Sequence, residues 1–429
     1  MIEADRLAQL AASLRLAAAQ FGTPLVLTDA GELARSADEL ALAFPDPCLR
    51  QYSIKANDVP AVVGRLAGLG LGANVVSRGE WAIAQRAGIP NSRITLEGVG
   101  KTDADLRAVV RSVEQRDPLL WTALESADEA AALSRLASRA VRRGAPRLDV
   151  LLRFNPAVEP ETLPGLAVGA ESSKFGLAAD ELAAAIEAGG GADGPLRWRG
   201  IHLHVGSQLG AVDAWRDGVR RALAVVGLLG GSLAHFDTLD LGGGFPIFDV
   251  GSPAPRPERF ARELSELLAA LPEDRRPTRL AVEPGRFLVA RAGYLVARVL
   301  HVRQRNGPMV VLDAGMTELI RPALYGARHS VVALTAGHRP WPGDGPVIAN
   351  DELAPTAVEG PICESTDSFG LHPLPALVRG DLVVIRDAGA YGASLSSTYN
   401  GRPRAAQVLL EPDGGLNLAR RRGPAATIR

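Results

Sequence analysis

Lys55 closes the segment YSIK, directly after an apolar run that predicts a strand. A charged amine in such a setting is unfavourable unless it is paired or used. One interpretation is a lysine whose stem is buried while its ammonium group reaches solvent. The other is a lysine that forms a Schiff base with an aldehyde cofactor. The residue alone leaves both interpretations open.

Three glycines at positions 242–244 follow another apolar run, LDL. They could form only a tight turn. They could also expose backbone N–H groups to a phosphate, as loops after the late strands of barrel enzymes often do. Their spacing is not GxGxxG, so they do not match the dinucleotide-binding fingerprint.

His202 and His204 are two positions apart, so that on one strand both side chains would face the same side. Metal chelation is one alternative, but the pair has no obvious third ligand in the sequence, and we predict no metal site. A ring packed against a cofactor, or a hydrogen-bonded core histidine, fits better.

Glu283 and Arg286 flank a Pro-Gly turn, and Cys363 lies in the segment GPICESTD. The first two could form only a loop salt bridge. Alternatively, the carboxylate could face a heterocyclic nitrogen while the guanidinium binds a phosphate or a carboxylate. Cys363 could be an inert buried thiol. Its turn-forming and polar neighbours favour an exposed functional loop.

The elements that must position these residues alternate between short apolar runs and amphipathic stretches. Eight runs predict strands, at 51–56, 72–76, 93–97, 119–124, 148–154, 198–204, 238–241 and 279–282. Helical patterns fall between them, at 59–69, 80–87, 103–112, 127–142, 179–188, 213–229 and 257–270. This alternation is typical of a parallel sheet covered by helices, and eight such units predict a closed (β/α)8 barrel.

The polar residues collect at one end of the predicted barrel. In barrel enzymes the chemistry lies at the C-terminal ends of the strands. The residues that end or directly follow predicted strands are Lys55, Asn74, Ser77, Arg153, His204, 242–244 and Glu283. We therefore expect one site on this rim.

The rhythm changes after residue 292, where β-rich runs are separated by Gly- and Pro-containing turns. Such a pattern predicts a separate all-β domain. The run PLVLTD near residue 24 could join it. We predict a barrel of residues 34–291 and a β-rich domain built from residues 1–33 and 292–429, in a chain of the α/β class.

Composition narrows the function classes. Hydrophobic residues make up 47% and charged residues 22%, which is ordinary for a globular protein. A formal net charge of −1 gives no reason to expect nucleic acid or an acidic membrane as a partner. Two cysteines exclude a disulfide framework, and the N-terminal pattern is not that of a signal peptide, so we expect a cytoplasmic protein.

These motifs together resemble those of the group IV pyridoxal-phosphate decarboxylases, which have an alanine-racemase-like fold. The motifs that carry the resemblance, in family order, are YSIKAN, SRGE, SSKFG, GIHLHVGSQ, LDLGGGFP, EPGRFLVARAG, DAGMTELIRPALYGARH, GPICESTD and DAGAYGASLSSTYNGRPR. The resemblance covers the chain from about residue 24 to about residue 410. RPALYGA, CES and GAY…YN are closer to the diaminopimelate decarboxylases than to the ornithine enzymes of the family.

The resemblance implies a role for each candidate residue. Lys55 would hold pyridoxal 5′-phosphate covalently, Glu283 would face the pyridine nitrogen, and His204 would stack on the ring. The cofactor would also be held by Ser207, Gly243, Gly244, Gly285, Arg286 and Tyr391. The positions that match substrate-binding residues are Arg286, Arg321, Tyr325, Glu364 and Tyr391. Cys363 would protonate the substrate carbon and would enter the site from the neighbouring subunit, which implies a homodimer.

The resemblance implies decarboxylation of meso-diaminopimelate to L-lysine and carbon dioxide. Decarboxylation of another amino acid, carrier-linked or from a siderophore or antibiotic pathway, is an alternative. Two departures from the family pattern bear on it: Asn74 stands where the family usually has aspartate, and EGVGKT at 97–102 replaces the usual GN-K-S pattern. A catalytically dead homologue that acts as a binding protein is a third hypothesis, and a racemase a fourth.

Overall fold

Helices and strands alternate from the start of the chain. The computed structural model describes residues 2–162, 164–247, 254–341 and 353–423. The first elements are helix α1, Ile2–Phe21, strand β1, Leu25–Asp29, and helix α2, Ala30–Ala43. Asp29 ends β1 and accepts a hydrogen bond from Gly31 N at 2.8 Å, which caps the exposed N–H groups of α2.

Eight parallel strands form a closed barrel, as predicted. They are β2 Leu49–Ser53, β3 Gly72–Val75, β4 Ile94–Leu96, β5 Trp121–Leu124, β6 Leu148–Arg153, β7 Leu196–His202, β8 Thr238–Asp240 and β9 Arg279–Val282. Each pairs with the next, and β9 pairs with β2 to close the ring. The (β/α)8 prediction is therefore confirmed.

The helices that cover the barrel follow the predicted apolar patterns. They are α3 Pro60–Gly68, α4 Arg78–Arg86, α5 Asp103–Glu114, α6 Ala127–Arg142, α7 Leu182–Ala188, α8 Asp213–Leu229 and α9 Pro257–Ala269. Ser77 and Ser126 cap α4 and α6, and Thr102 and Asp105 form a capping box at α5. These caps fix the residue at which α4, α5 and α6 begin.

A nine-stranded sheet lies beside the barrel. Its strands are β1, β10 Gly293–Gln304, β11 Pro308–Leu312, β12 Val331–Ala333, β15 Ala354–Glu359, β16 Ser368–Leu374, β17 Leu382–Ile385, β18 Ala406–Leu410 and β19 Leu416–Arg420. Strands β13, Thr335–Ala336, and β14, Arg339–Pro340, form a small hairpin. The short helices α10 Arg286–Val289 and α11 Arg321–Tyr325 complete the described elements.

Strand β1 is antiparallel to β10 and parallel to β18, so chain from before and after the barrel contributes to one sheet. This agrees with the expectation that PLVLTD joins the β-rich region. The domain boundaries at residues 34 and 291 stay a prediction, and residues 1, 342–352 and 424–429 of the second predicted domain lie outside the described residues. Within the described chain, no helix has the length and apolarity needed to span a bilayer.

Two predicted strands extend more than one residue too far at their C-terminal ends. β2 stops at Ser53, and Ile54–Ala56 forms a 3-10 turn that carries Lys55. β7 stops at His202, so His204 belongs to the following loop. Both errors have the same cause, since apolar residues such as Ile54 and Leu203 remain fully buried after the strand has ended. An apolar pattern records burial and does not mark where strand pairing stops.

Candidate active site

A cavity of about 410 Å³ opens at the C-terminal ends of the barrel strands. Its lining includes all nine residues predicted to hold a cofactor: Lys55, His204, Ser207, Gly243, Gly244, Glu283, Gly285, Arg286 and Tyr391. Residues of the EGVGKT segment, Arg153 and Phe175 line it as well. The volume is within the range of small-molecule sites. The structure thus brings the predicted cofactor residues together in one place.

Lys55 lies half-buried on the 3-10 turn after β2, and a distant segment of the chain holds that turn in place. Tyr391 N donates to Ala56 O at 2.7 Å, and Ser394 Oγ donates to Lys55 O at 2.9 Å. Asn57 Nδ2 donates to Gly389 O at 2.9 Å. The loop after β17 therefore fixes the backbone on both sides of the lysine.

His204 and the glycine loop bind one another. Gly243 N donates to His204 Nδ1 at 3.1 Å, so the proton of the neutral ring is on Nε2. Burial, and then the charge of Lys55, lower the pKa of His204 well below its usual value. Gly242 has a φ of +65°, and a Cβ there would overlap the Leu203 carbonyl. Only glycine fits, and the loop backbone can approach a ligand closely.

An anion-binding group lies beside this loop. Arg286 is 4% exposed and donates from Nη2 to Ser207 Oγ at 3.0 Å. Its guanidinium carbon lies 4.8 Å from the centre of the Tyr391 ring, a cation–π distance. Gly243 and Gly244 are adjacent in the cavity lining. A guanidinium, a hydroxyl and glycine backbone together are suited to a phosphate or a carboxylate.

Glu283 is buried at the base of the cavity and is held by side chains from two other strands. Asn74 Nδ2 donates to Glu283 Oε1 at 2.7 Å. His202 Nε2 lies 3.2 Å from Glu283 Oε2 and 3.2 Å from Glu97 Oε1. Burial, and then the negative charge of Glu97, raise the pKa of Glu283 well above its usual value. A positively charged or N–H-donating ligand group would favour its ionised form.

Two carboxyl groups at this site were missed as functional residues in the sequence. Glu97 follows β4 and lines the cavity, and Asp240 ends β8 fully buried. Burial, and then the charge of Glu283, raise the pKa of Asp240. The available signal was a charged residue at the end of an apolar strand, the same signal that singled out Lys55.

The two histidines have separate environments. Ligand atoms of His202, Glu97 and Glu283 lie within 4.8 Å of one another, and His204 is not part of this group. The expectation that His202 and His204 face the same side of one strand is therefore wrong, because the strand ends between them. The carboxyl groups of Glu97 and Glu283 are close enough for one to donate a hydrogen bond to the other when one of them is protonated.

The residues predicted to bind the far end of a substrate do not line the cavity within one chain. Arg321 is buried, and its Nη1 lies 3.0 Å from His329 Nε2. The ring of Tyr325 is near the rim, since a Cβ placed on the cavity residue Gly165 would be 3.9 Å from Tyr325 Cε1. The lining therefore stops short of the residues expected to recognise the substrate.

Cys363 and Glu364 are exposed on the loop after β15. Asn400 Nδ2 lies 3.5 Å from Cys363 Sγ, and Glu364 forms a hydrogen bond with the Tyr399 side chain. The thiol is thus solvent-accessible, as its sequence context indicated, but it does not line the cavity of its own chain.

Comparisons with known proteins give a consistent result. Residues 30–290 match the family described as pyridoxal-dependent decarboxylase, pyridoxal binding domain. Diaminopimelate decarboxylase of Aquifex aeolicus is 34% identical over 96% of this chain and 91% of its own. Among solved structures, diaminopimelate decarboxylase of Helicobacter pylori in complex with L-lysine has a TM-score of 0.83, 28% identity and 95% coverage of both chains. The M. jannaschii enzyme with L-lysine has a TM-score of 0.84 and 28% identity over 96% of this chain and 92% of its own.

Proposed function

The chain belongs to the pyridoxal-dependent decarboxylase family, and on that premise we propose that it decarboxylates meso-diaminopimelate to L-lysine with pyridoxal 5′-phosphate as cofactor. One observation carries the proposal: an amine, a buried carboxyl and an anion-binding group line a single cavity. The names of the relatives, diaminopimelate decarboxylases at 34% and 33% identity over nearly all of the chain, support the substrate.

The donor set fits the parts of pyridoxal phosphate. Ser207, Arg286 and the backbone at Gly243 and Gly244 suit a phosphate, which carries negative charge and accepts several hydrogen bonds. Lys55 supplies an amine for an aldehyde. Glu283 supplies a carboxyl group for a ring nitrogen. The cavity therefore offers one matching partner for each reactive part of the cofactor.

The bound cofactor supplies an electron sink for the electron pair that departing carbon dioxide leaves behind. Glu283 holds a proton at the ring nitrogen, since a carboxylate opposite an N–H⁺ favours that protonation state. Asn74 and His202 hold the carboxyl group of Glu283 in one orientation. His204, held by Gly243, presents a neutral ring to the cavity.

Arg286 serves the phosphate, and its guanidinium is placed to reach a substrate carboxylate too. Tyr391 packs against that guanidinium and keeps water from one face of it. At the far end of the substrate, Arg321 binds the distal carboxylate of a diamino diacid, with Tyr325 beside it. Arg321 is the first residue of α11 and Tyr325 is its last.

A homodimer completes the proposed site. Cys363 and Glu364 lie on an exposed loop and reach the cavity of the neighbouring subunit. There Cys363 returns a proton to the substrate carbon from which carbon dioxide has left. Glu364 contacts the distal amino group. The exposed positions of both residues in the single chain support this arrangement.

A specialised decarboxylase is a second candidate, and one observation favours it. Gly98, Val99 and Gly100 line the cavity. They lie in the EGVGKT segment, where the sequence departs from the usual family pattern. A cavity wall that differs from the usual family pattern would suit an amino acid other than diaminopimelate. This candidate keeps the same cofactor and the same reaction.

Decarboxylation assays with a panel of amino acids test the proposal. We expect purified protein with pyridoxal phosphate to release carbon dioxide from meso-diaminopimelate and to form L-lysine. Borohydride should fix the cofactor onto Lys55, and Lys55→Ala should abolish both the label and the turnover, whereas Lys101→Ala should keep the label on Lys55. Preference for lysine, ornithine or a carrier-linked amino acid would support the specialised enzyme, and a label on any other lysine would exclude the cofactor assignment.

A further inference from the structure

Glu97 is a buried carboxyl group that the proposed reaction does not use. It follows β4, its side chain is 4% exposed, and it faces the cavity beside Glu283. Its Oε1 atom is buried and accepts no hydrogen bond of acceptable geometry from the N–H and O–H groups of the described residues. A buried acceptor without a donor is unfavourable by about 1–3 kcal/mol. A proton on Glu283 would supply the missing donor.

Two ionised carboxyl groups at hydrogen-bond distance repel strongly, so one of the pair holds a proton. Burial opposes the ionisation of Glu97, but His202, the hydrogen bond with Glu283, Arg153 and Lys55 together lower its pKa. The pKa of Glu283 is raised, by burial and then by Glu97. The proton of the pair is therefore on Glu283, and Glu97 accepts its hydrogen bond.

The groups that face this pair come from six strands of the barrel and their loops. They are Lys55, Asn74, Glu125, Arg153, His202, His204 and Asp240. Arg153 is paired with Glu125 at 2.7 Å, so that carboxylate already balances its charge, and Lys55 is the other cation that acts on both carboxyl groups of the pair. Burial lowers the pKa of His202, so the ring is neutral. Its Nε2 forms a hydrogen bond with Glu283 Oε2, whereas Glu97 Oε1, also 3.2 Å away, lies outside hydrogen-bond geometry.

We propose that Glu97 is a positioning residue that keeps one proton on Glu283 in the cofactor-free site, so that Glu283 delivers this proton to the ring nitrogen of pyridoxal phosphate. The inference rests on the proposed function. The step is a proton transfer: the O–H bond of Glu283 breaks, an N–H bond forms, and Glu283 becomes a carboxylate. Asn74 and His202 then donate to that carboxylate. No proton is drawn from solvent.

The number of protons taken up when the cofactor binds tests this. Full-length protein stripped of cofactor is titrated with pyridoxal phosphate by calorimetry in buffers of different ionisation enthalpy at neutral pH. In Glu97→Gln the negative charge is gone and the amide can donate to Glu283, so both changes favour the ionised form of Glu283 before binding. We expect the variant to take up about one more proton per site than wild type, with an affinity that falls about tenfold per unit rise in pH.

Glu129→Gln is the matched control, because Glu129 is another largely buried carboxyl group, paired with Lys101 away from Glu283. Its proton uptake should equal that of wild type. Infrared difference spectra of wild type, which do not depend on the folding of a variant, should show a protonated carboxyl band that disappears on cofactor binding. Equal uptake in wild type and Glu97→Gln, or no such band, would overturn the proposal. Failure of wild type to bind pyridoxal phosphate would instead refute the proposed function.

Discussion

Asn74 Nδ2 donates to Glu283 Oε1 across 2.7 Å, which links the strands on either side of β2 within the barrel. The family resemblance implies an aspartate at this position, and an ionised aspartate could not donate. The amide therefore stabilises the ionised form of Glu283, whereas an aspartate would share a proton with it or repel it. The hydrogen bond thus gives a chemical consequence to the presence of asparagine at position 74.

Asn74→Asp should weaken cofactor binding. The change replaces a donor to Glu283 with an acceptor, and a lost hydrogen bond to a charged group is worth about 1.5–3 kcal/mol. We expect the dissociation constant of pyridoxal phosphate to rise at least tenfold, measured by absorbance titration. Asn91→Asp, at a buried asparagine outside the cavity, should lower stability and leave the dissociation constant unchanged. Equal affinities for Asn74→Asp and wild type would show that the amide is not needed.

Mixing two inactive variants should restore activity if the site is shared between subunits. In the proposed dimer each site takes Lys55 from one subunit and Cys363 from the other. A hybrid of one Lys55→Ala subunit and one Cys363→Ala subunit therefore has one site with both residues intact. With random exchange, about a quarter of wild-type activity should return. Lys55→Ala mixed with the double variant should stay inactive. Proven subunit exchange without recovery would mean that Cys363 acts within its own chain or not at all.

Arg321→Lys should reduce activity selectively for substrates with a distal carboxylate. Lysine keeps the positive charge but loses the planar two-bond contact that guanidinium makes. We expect kcat/KM for meso-diaminopimelate to fall, and the fall should correspond to a loss of about 1.5–3 kcal/mol in transition-state binding. The loss should be much smaller for any turnover of lysine or ornithine, which lack that carboxylate. Equal losses on both kinds of substrate would assign Arg321 a structural role.

His329 should make stability depend on pH in a predictable direction. Burial, and then the charge of Arg321, lower its pKa from 6.5 to about 4, and its Nδ1 is 2.9 Å from Arg386 O. Because the unfolded chain binds a proton in this interval and the folded chain does not, stability falls as pH drops from about 6.5 to about 4. The contribution is roughly 3 kcal/mol.

His329→Gln is the variant that isolates this effect, since an amide can accept from Arg321 and donate to Arg386 O without titrating. Urea unfolding midpoints measured at neutral pH and near pH 4.5 should drop further in wild type than in the variant. His202 and His204 titrate in the same direction in both proteins, so only the difference between them reports on His329. Parallel losses would mean that His329 does not control this dependence.

Much of the barrel was predictable because burial is periodic in sequence. Each predicted strand overlaps an observed one, and the polar residues after them meet on one rim because parallel strands end on the same side. Strand ends were harder. Lys55 is on a 3-10 turn and His204 in a loop, since pairing partners, and not hydrophobicity, decide where a strand stops.

The contacts between side chains inside the site could not be predicted from the sequence. Glu97, Asn74 and His202 lie on different strands, and their approach to Glu283 depends on the closure of the barrel. A carboxyl group that accepts a hydrogen bond from another carboxyl group has no pattern of its own in a single sequence. Arg321 and Tyr325 were predicted only through the family motif. The contact between Arg321 and His329 depends on how the β-rich region folds.

The contacts between the loop after β17 and the turn of Lys55 bear on how the protein is made. Residue pairs 332 and 339 positions apart fix the backbone around the lysine. The barrel strands are synthesised well before residues 389–394. In a nascent chain that ends before these residues, the backbone around Lys55 lacks the contacts that orient it. Contacts between such distant residues slow folding. We therefore expect that the chain binds a cofactor only after synthesis is complete, and that fragments truncated before residue 389 lack a competent site.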